Sequence, residues 1–200
     1  MDKYLLRRRQ LLLYFGLGVV GAVGATAAVR PGFRETATTS TSAPGNIPTS
    51  DVADLPNAGF LPEFQGISQW LNSTPLKVAD LKGNVVLVQF WTFACINCQR
   101  TLPYITRWHR QYVAKGLKVI GVHTPEFPFE REANNIKRAL KQHQITYPVP
   151  LDNEFKTWNA YNNQNWPHLF LADRNGVVRY DHIGEGAYDE TEQTIRKLLG

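Results

Sequence analysis

The sequence predicts an α/β domain, a mixed central sheet with helices on both faces. Three observations carry that reading. Val85-Val86-Leu87-Val88-Gln89-Phe90-Trp91 is a near-continuous apolar run with β-branched residues, as expected of a strand buried on both faces. Strand-like runs alternate with segments of helical spacing after it. Two short apolar runs then flank Asp173-Arg174-Asn175-Gly176, a strong hairpin turn, before a last helix. The order β-α-β-α-β-β-α gives a mixed sheet, and the chain shows no internal repeat.

Gly83-Asn84 is a turn leading into the first strand. From Asn97 to Lys115 the spacing of Leu102, Ile105, Trp108, Tyr112 and Val113 predicts a helix, with Gly116 as its C-terminal stop. Pro103 inside it predicts a kink. Leu117 to His123 is the next strand, and Glu130 to His143 a helix with Ile136, Ala139 and Leu140 on its apolar side. Tyr147 to Leu151 reads as a short extended piece and Glu154 to Tyr161 as a short helix. His168 to Ala172 and Val177 to Tyr180 are the arms of the hairpin. Asp189-Glu190-Thr191-Glu192 opens the final helix as a capping-box-like start, and Ile195, Leu198 and Leu199 form its buried stripe.

The 200 residues hold one ordinary domain with appendages; 43% are hydrophobic and 20% charged, which excludes a fully disordered chain. Two cysteines exclude a disulfide-stapled mini-protein and a four-cysteine zinc ribbon. The net charge of +5 is uneven. Lys3, Arg7, Arg8 and Arg9 hold four of the 22 basic residues against the single acid Asp2, which leaves 18 against 16 from Gln10 onward. The domain is therefore nearly neutral, and nucleic acid is not an expected partner.

Arg7-Arg8-Arg9 precedes Leu11 to Val29, 19 residues without a charge. That is the mark of an export signal or a signal anchor, and as a helix the run would span roughly 28 Å, about a bilayer's hydrocarbon thickness. Arg8-Arg9-Gln10-Leu11-Leu12 resembles a twin-arginine signal, and Ala25-Thr26-Ala27 fits a small-x-small cleavage site. The length of the run favours the anchor over the cleaved signal. The positive-inside rule then places everything after Arg30 outside the cytoplasm. Residues 1–29 are thus a signal anchor or signal peptide, 30–56 a flexible linker and 57–200 the folded domain. The linker's Thr36–Ser50 stretch, rich in Thr and Ser with Pro44, Gly45 and Pro48, cannot bury enough surface to offset its ordering entropy. Gly16-Leu17-Gly18-Val19-Val20-Gly21 spells GxGxxG, but it lacks the strand–turn–helix context of a dinucleotide site.

The informative chemistry is Cys95-Ile96-Asn97-Cys98, where a buried strand gives way to a helix. Unpaired N–H groups and aligned peptide dipoles at a helix start stabilise a thiolate, so Cys95 should be acidic and nucleophilic. Cys98 lies nearly one turn later, under Cys95 and more buried. It can attack a mixed disulfide formed by Cys95 and release a reduced substrate. The pair closes a loop too short to staple a fold. Zinc would need two further ligands, and the histidines form no HxxxH pair, so no metal is expected. A c-type haem attachment would need His where Gln99 stands.

These residues resemble the thioredoxin-like superfamily. The strand Val85–Trp91, Cys95-x-x-Cys98, Pro103 in the following helix, Pro167 and the closing hairpin and helix look like a thioredoxin fold over residues 57–200. Trp91-Thr92-Phe93-Ala94-Cys95-Ile96-Asn97-Cys98-Gln99-Arg100-Thr101-Leu102-Pro103-Tyr104, Gly121-Val122-His123-Thr124-Pro125-Glu126-Phe127, Asn165-Trp166-Pro167 and Gly184-Glu185-Gly186 resemble exported TlpA/DipZ-type proteins. The resemblance implies a cis Trp166–Pro167 bond beside the active site, and a site walled by Trp91, Trp166, Pro167 and, equally well read as core, Phe93. It departs at two positions. Gln89 stands where thioredoxins place a buried Asp, and Thr101 where several TlpA-like reductases carry a Glu. Glu126, just beyond the strand ending at His123, is the candidate proton acceptor in their place, against a plain solvated loop residue. His123 reads as a strand-end structural residue, and Arg100 as a cation that could help a neighbouring thiolate.

The implied function is an exported or membrane-tethered thiol–disulfide oxidoreductase. Cys95 attacks, Cys98 resolves, and no cofactor beyond the pair is needed. The resemblance implies a reductase of exported cysteine-containing proteins, itself kept reduced by a membrane electron donor. The alternatives are a disulfide-forming oxidase, a thiol peroxidase and a non-catalytic binding module. Ile96-Asn97 lacks the His that favours a strongly oxidising pair, Cys95 lacks the Pro-x-x-x-Thr lead-in of peroxiredoxins, and the intact pair argues against a mere module.

Overall fold

The structure, a computed structural model, describes residues 57–200. The apolar run at 11–29, the GxGxxG pattern and the linker at 30–56 lie outside the described residues. Among the described residues no helix is long and apolar enough to cross a membrane.

Six strands and four α-helices follow in the order β1 (Trp70–Leu71), β2 (Val85–Trp91), α1 (Ile96–Tyr112), β3 (Leu117–His123), α2 (Ala133–Gln142), β4 (Val149–Pro150), α3 (Lys156–Ala160), β5 (His168–Ala172), β6 (Val178–Ile183) and α4 (Tyr188–Leu199). The main sheet has the order β3-β2-β5-β6. β2 and β3 run parallel in the register Val85↔Leu117 to Trp91↔His123, while β5 is antiparallel to both β2 and β6. β1 and β4 form a separate antiparallel ladder that adjoins β3 through a parallel bridge from Leu151 to His123. This is the expected mixed α/β architecture, with both long strands in place to the residue.

Alternation along β2 divides the core. Val85, Leu87 and Trp91 face a cluster holding Leu102, Ile105 and Trp108 of α1, Ile136 and Leu140 of α2, and Ile195 and Leu198 of α4. Val86, Val88 and Phe90 face the other cluster, with Trp158 of α3, Leu61 and Leu81. Every residue of β2 is buried, which is why it reads as a continuous apolar run rather than an alternating one.

Several expectations need correction. The helix predicted to end at Lys115 stops at Tyr112 and tightens into a 3₁₀ turn over Val113–Lys115, closed by Gly116 at φ 99°. It runs without a break through Pro103. The helix placed at Glu130–His143 is a 3₁₀ turn, Pro128–Arg131, followed by α2. The hairpin's second arm extends to Ile183. The final helix has no side-chain cap. Its first flanking residue is Ala187 in the left-handed region, and Thr191 Oγ1 donates to the Ala187 carbonyl instead. Glu192, read as the closing residue of a capping box, serves α1 rather than its own helix start. β1 is two residues long and defined only by its partner, so no local pattern announces it.

Candidate active site

β2 and β3 end, and β5 begins, at one edge of the sheet, and α1 starts there. Cys95 is the N-cap of α1, with φ −73° and ψ 115°. Its Sγ accepts the Cys98 N–H at 3.3 Å, and its carbonyl accepts the Gln99 N–H at 3.0 Å. The Gln99 side-chain amide pins the approach loop by donating to the Phe93 carbonyl at 2.7 Å. Both cysteines are free thiols; Cys95 is half-buried and Cys98 fully buried.

The two sulfurs differ in acidity for physical reasons. Hydrogen bonds from the Cys98 side, its thiol first and then backbone N–H groups at the helix start, bring Cys95 down to about 6 against partial burial and the Glu126 charge. Burial pushes the Cys98 thiol far above its ordinary value, and the Cys95 sulfur and the Glu130 charge add to the rise. At neutral pH the outer sulfur is a thiolate and the inner one holds its proton.

The positions that depart from the thioredoxin-like pattern lie against each other. Gln89 Nε2 donates to Thr101 Oγ1 at 2.7 Å, and Thr101 Oγ1 donates to the Cys98 carbonyl at 2.7 Å. A neutral chain thus occupies the place where carboxylates were anticipated, and Gln89 Oε1 is buried without a partner.

Glu126 sits on an exposed loop, and its charge opposes a thiolate at Cys95. The residue under the pair is Glu130, which is completely buried. Its Oε1 accepts the Thr92 hydroxyl and the Ala94 N–H (3.0 Å). Its Oε2 accepts the N–H groups of Glu126 (2.7 Å) and Phe127 (2.8 Å). Sequence reasoning missed it by reading Glu130 as the polar start of a helix. The available signal was its place two residues beyond Pro128, in a stretch otherwise rich in Phe.

Trp91 is buried outright and donates from Nε1 to the Gly121 carbonyl at 3.2 Å, so it packs behind the pair and offers no face to a ligand. Phe93 is half-buried between His123, stacked at 5.7 Å, and Phe129 at 5.8 Å. Trp166–Pro167 is a cis peptide bond. Trp166 is half-buried, donates from Nε1 to the Thr124 carbonyl at 3.0 Å, and packs on Trp158 at 4.2 Å. His123 is buried, and burial lowers its imidazole to about 4, so it is neutral. Arg100 turns away to Glu185 at 3.1 Å rather than toward Cys95. Ile96, Phe127 and Phe129 are exposed near the pair and give it an apolar rim. Among the described residues no group of three or more His, Cys, Asp or Glu side chains could hold a metal ion.

A parallel–antiparallel sheet with an acidic cysteine capping the helix that follows its central strand defines a thioredoxin-like thiol–disulfide oxidoreductase. Residues 60–181 match the AhpC/TSA family, and the chain belongs to it. It is 43% identical over 151 residues to Protein DipZ of Mycobacterium tuberculosis, an alignment covering 74% of this chain and 22% of that one. It is 28% identical to the thiol-disulfide oxidoreductase ResA of Bacillus cereus, over 64% of this chain and 71% of that one. Among solved structures, one assigned as the thiol:disulfide interchange protein DsbE of Chlorobium tepidum superposes with a TM-score of 0.64 at 27% identity, over 73% of this chain and 99% of that one. These likenesses place the chain in the TlpA/DipZ-type group of thiol–disulfide oxidoreductases. It spans about a fifth of the DipZ protein's length.

Proposed function

We propose that the chain reduces or exchanges disulfides in cysteine-bearing proteins outside the cytoplasm, tethered to the membrane through residues 1–29. The observation that carries this reading is the asymmetry of the two thiols. Cys95 is accessible and acidic, so it attacks a partner disulfide; Cys98 is buried and protonated, so it waits until a mixed disulfide stands beside it. The pair carries the two electrons itself, and a membrane electron donor returns it to the dithiol state. Trp166, Pro167 and the exposed apolar rim receive the partner's chain. The uncharged run after Arg7–Arg9 supports the membrane address.

The test is equilibration of the full chain in glutathione buffers, with Cys95→Ser and Cys98→Ser as comparators. Reversible two-electron exchange in the parent, a trapped mixed disulfide in Cys98→Ser and inertness in Cys95→Ser are expected. A parent that neither exchanges nor forms a mixed disulfide would sink the reading. A half-exposed thiolate also attacks hydroperoxides, which supports a thiol peroxidase as the second reading. Faster oxidation of the reduced chain by hydrogen peroxide than by disulfides would favour it.

A further inference from the structure

The loop from α3 to β5 carries Trp166 and Pro167 at the edge of the sheet where α1 starts. One buried imidazole, His168, joins that loop to β6. His168 opens β5 opposite Phe90 of β2 and stacks on Phe170 with ring centroids 4.0 Å apart. Its Nδ1 lies 2.6 Å from Asn163 Oδ1, and its Nε2 lies 3.1 Å from Asp181 Oδ2. The Asn163 side-chain nitrogen donates to the Asn165 carbonyl at 3.2 Å, which aims the amide oxygen at the ring. An amide oxygen and an ionised carboxylate only accept hydrogen bonds. Both ring nitrogens therefore face acceptors, and only the imidazolium, with a proton on each, satisfies the two together.

A neutral ring keeps one proton, and the carboxylate, the stronger acceptor, holds it on Nε2. The bare Nδ1 then meets the Asn163 oxygen lone pair to lone pair. Asn163 is buried, so its amide cannot turn to water and has to turn over. Its nitrogen then serves the ring and lets go of the Asn165 carbonyl, next to Trp166 in the chain. The charged and titratable groups that bear on His168 are Asp181 and His182 of β6. From the end of α3, Tyr161 packs on Phe170, and burial keeps its phenol protonated. Burial lowers the imidazole from its ordinary 6.5, the Asp181 carboxylate works against that, and the His182 charge adds to it. The arrangement with both bonds thus forms as pH falls through a value below 6.5.

We propose that His168 is a positioning residue for the partner: clasped between Asp181 and Asn163 as an imidazolium, it holds the Asn163–Asn165 tie and with it the loop that presents Trp166 and Pro167. This rests on the thiol–disulfide reading above. His168 touches neither cysteine in that scheme and acts only through the loop. A partner's chain that lies along Trp166 and Pro167 therefore meets a firm loop when His168 is charged and a loosened one when it is neutral. A small disulfide that reaches Cys95 without the loop does not register the difference. Asp181→Asn separates the two states by chemistry. An amide at 181 can donate to Nε2, so a neutral ring places its proton on Nδ1, still bonds Asn163, and keeps the loop tied at every pH.

The test is stopped-flow reaction of the reduced full chain with two probes. One is an uncharged, end-capped cysteine peptide carried as its nitrothiobenzoate disulfide, and the other is dithiobis(nitrobenzoate). Both release a coloured thiolate when Cys95 attacks, so the ratio of their first-phase rates cancels the ionisation of Cys95. In the parent the peptide-to-control ratio should fall about tenfold as pH rises through the His168 titration, the worth of one hydrogen bond to a charged group. In Asp181→Asn it should stay level. A level ratio in the parent, or the same fall in both, overturns the inference. Nitrogen-15 NMR of the imidazoles gives a readout that does not depend on activity or on the variant's folding. Parent His168 should carry both ring protons at low pH and only the Nε2 proton at high pH. A parent ring that does not titrate, or that keeps its last proton on Nδ1, overturns the inference as well. A parent that reacts with neither probe removes the redox reading itself, whereas normal first phases with a level ratio remove only this inference.

Discussion

Cys95 is acidic because the chain turns at it. The strand ends at Trp91, the helix begins at Ile96, and the sulfur between them meets N–H groups that have no carbonyl to bond. Iodoacetamide alkylation of Cys95 in the reduced chain should follow an ionisation with its midpoint near pH 6, while Cys98 stays unreactive until the fold is lost. A Cys95 midpoint above pH 8 would show that the helix start does not reach the sulfur. Gly121 in β3 has an equally local cause. A Cβ there would stand 2.7 Å from Tyr147 Cε2 and 3.1 Å from Trp91 Nε1, both on buried rings. Gly121→Ala should lower stability by about 1–3 kcal/mol through overpacking, read by urea unfolding. An unaffected midpoint would mean that the rings move aside.

At the scale of elements, α1 and α4 are joined by one carboxylate. Glu192 of α4 accepts from Arg107 at 2.8 Å, Trp108 Nε1 at 3.1 Å, the Tyr112 hydroxyl at 2.8 Å and Arg196 at 2.7 Å. Against the desolvation around it, hydrogen bonds from Arg196, Tyr112 and Trp108 and the Arg107 charge hold this carboxyl at about 2. A lowered carboxylate contributes stability above its unfolded value near 4.3 and loses it as pH falls toward 2. Glu192→Gln should cost about 1–3 kcal/mol at pH 7, since hydrogen bonds to a charged group are lost. It should also flatten the acid side of the unfolding curve, and parallel curves for parent and variant below pH 5 would refute the assignment. Glu192 was legible only as a helix-start acid, because its partners on α1 lie some 80 positions earlier in the chain. The same limit hid Glu130. Its donors at 92 and 94 come from the end of β2, and no local pattern links them to the loop after β3.

At the scale of the molecule, the acidity of Cys95 couples redox state to stability. The group is lowered in the folded dithiol and ordinary in the unfolded chain, so its contribution is absent below about pH 6. It grows as pH rises from about 6 toward roughly 8.5, where the unfolded thiol also ionises. The reduced full chain should therefore gain resistance to urea between pH 5 and pH 8 relative to Cys95→Ser. The disulfide form, which has no thiol to titrate, should show no such difference. Equal slopes in the reduced parent and in Cys95→Ser would mean that the thiolate is not favoured by the fold. The same preference makes the pair more oxidising at neutral pH than one built of ordinary thiols.

The sequence alone determined β2 and β3 to the residue, the hairpin, and Cys95 at the head of a helix. Each rests on forces between near neighbours: apolar periodicity, turn chemistry and the unpaired N–H groups of a helix start. Tertiary structure alone decided that Trp91 is core, that Arg100 serves Glu185, that Gln89 bonds Thr101, and that Glu130 rather than Glu126 lies under the pair. Burial and hydrogen-bond partnership of a polar side chain depend on what arrives from distant segments once the sheet has formed. A carboxylate four positions from another can thus sit in solvent or in the core with no difference in the local sequence pattern to mark which.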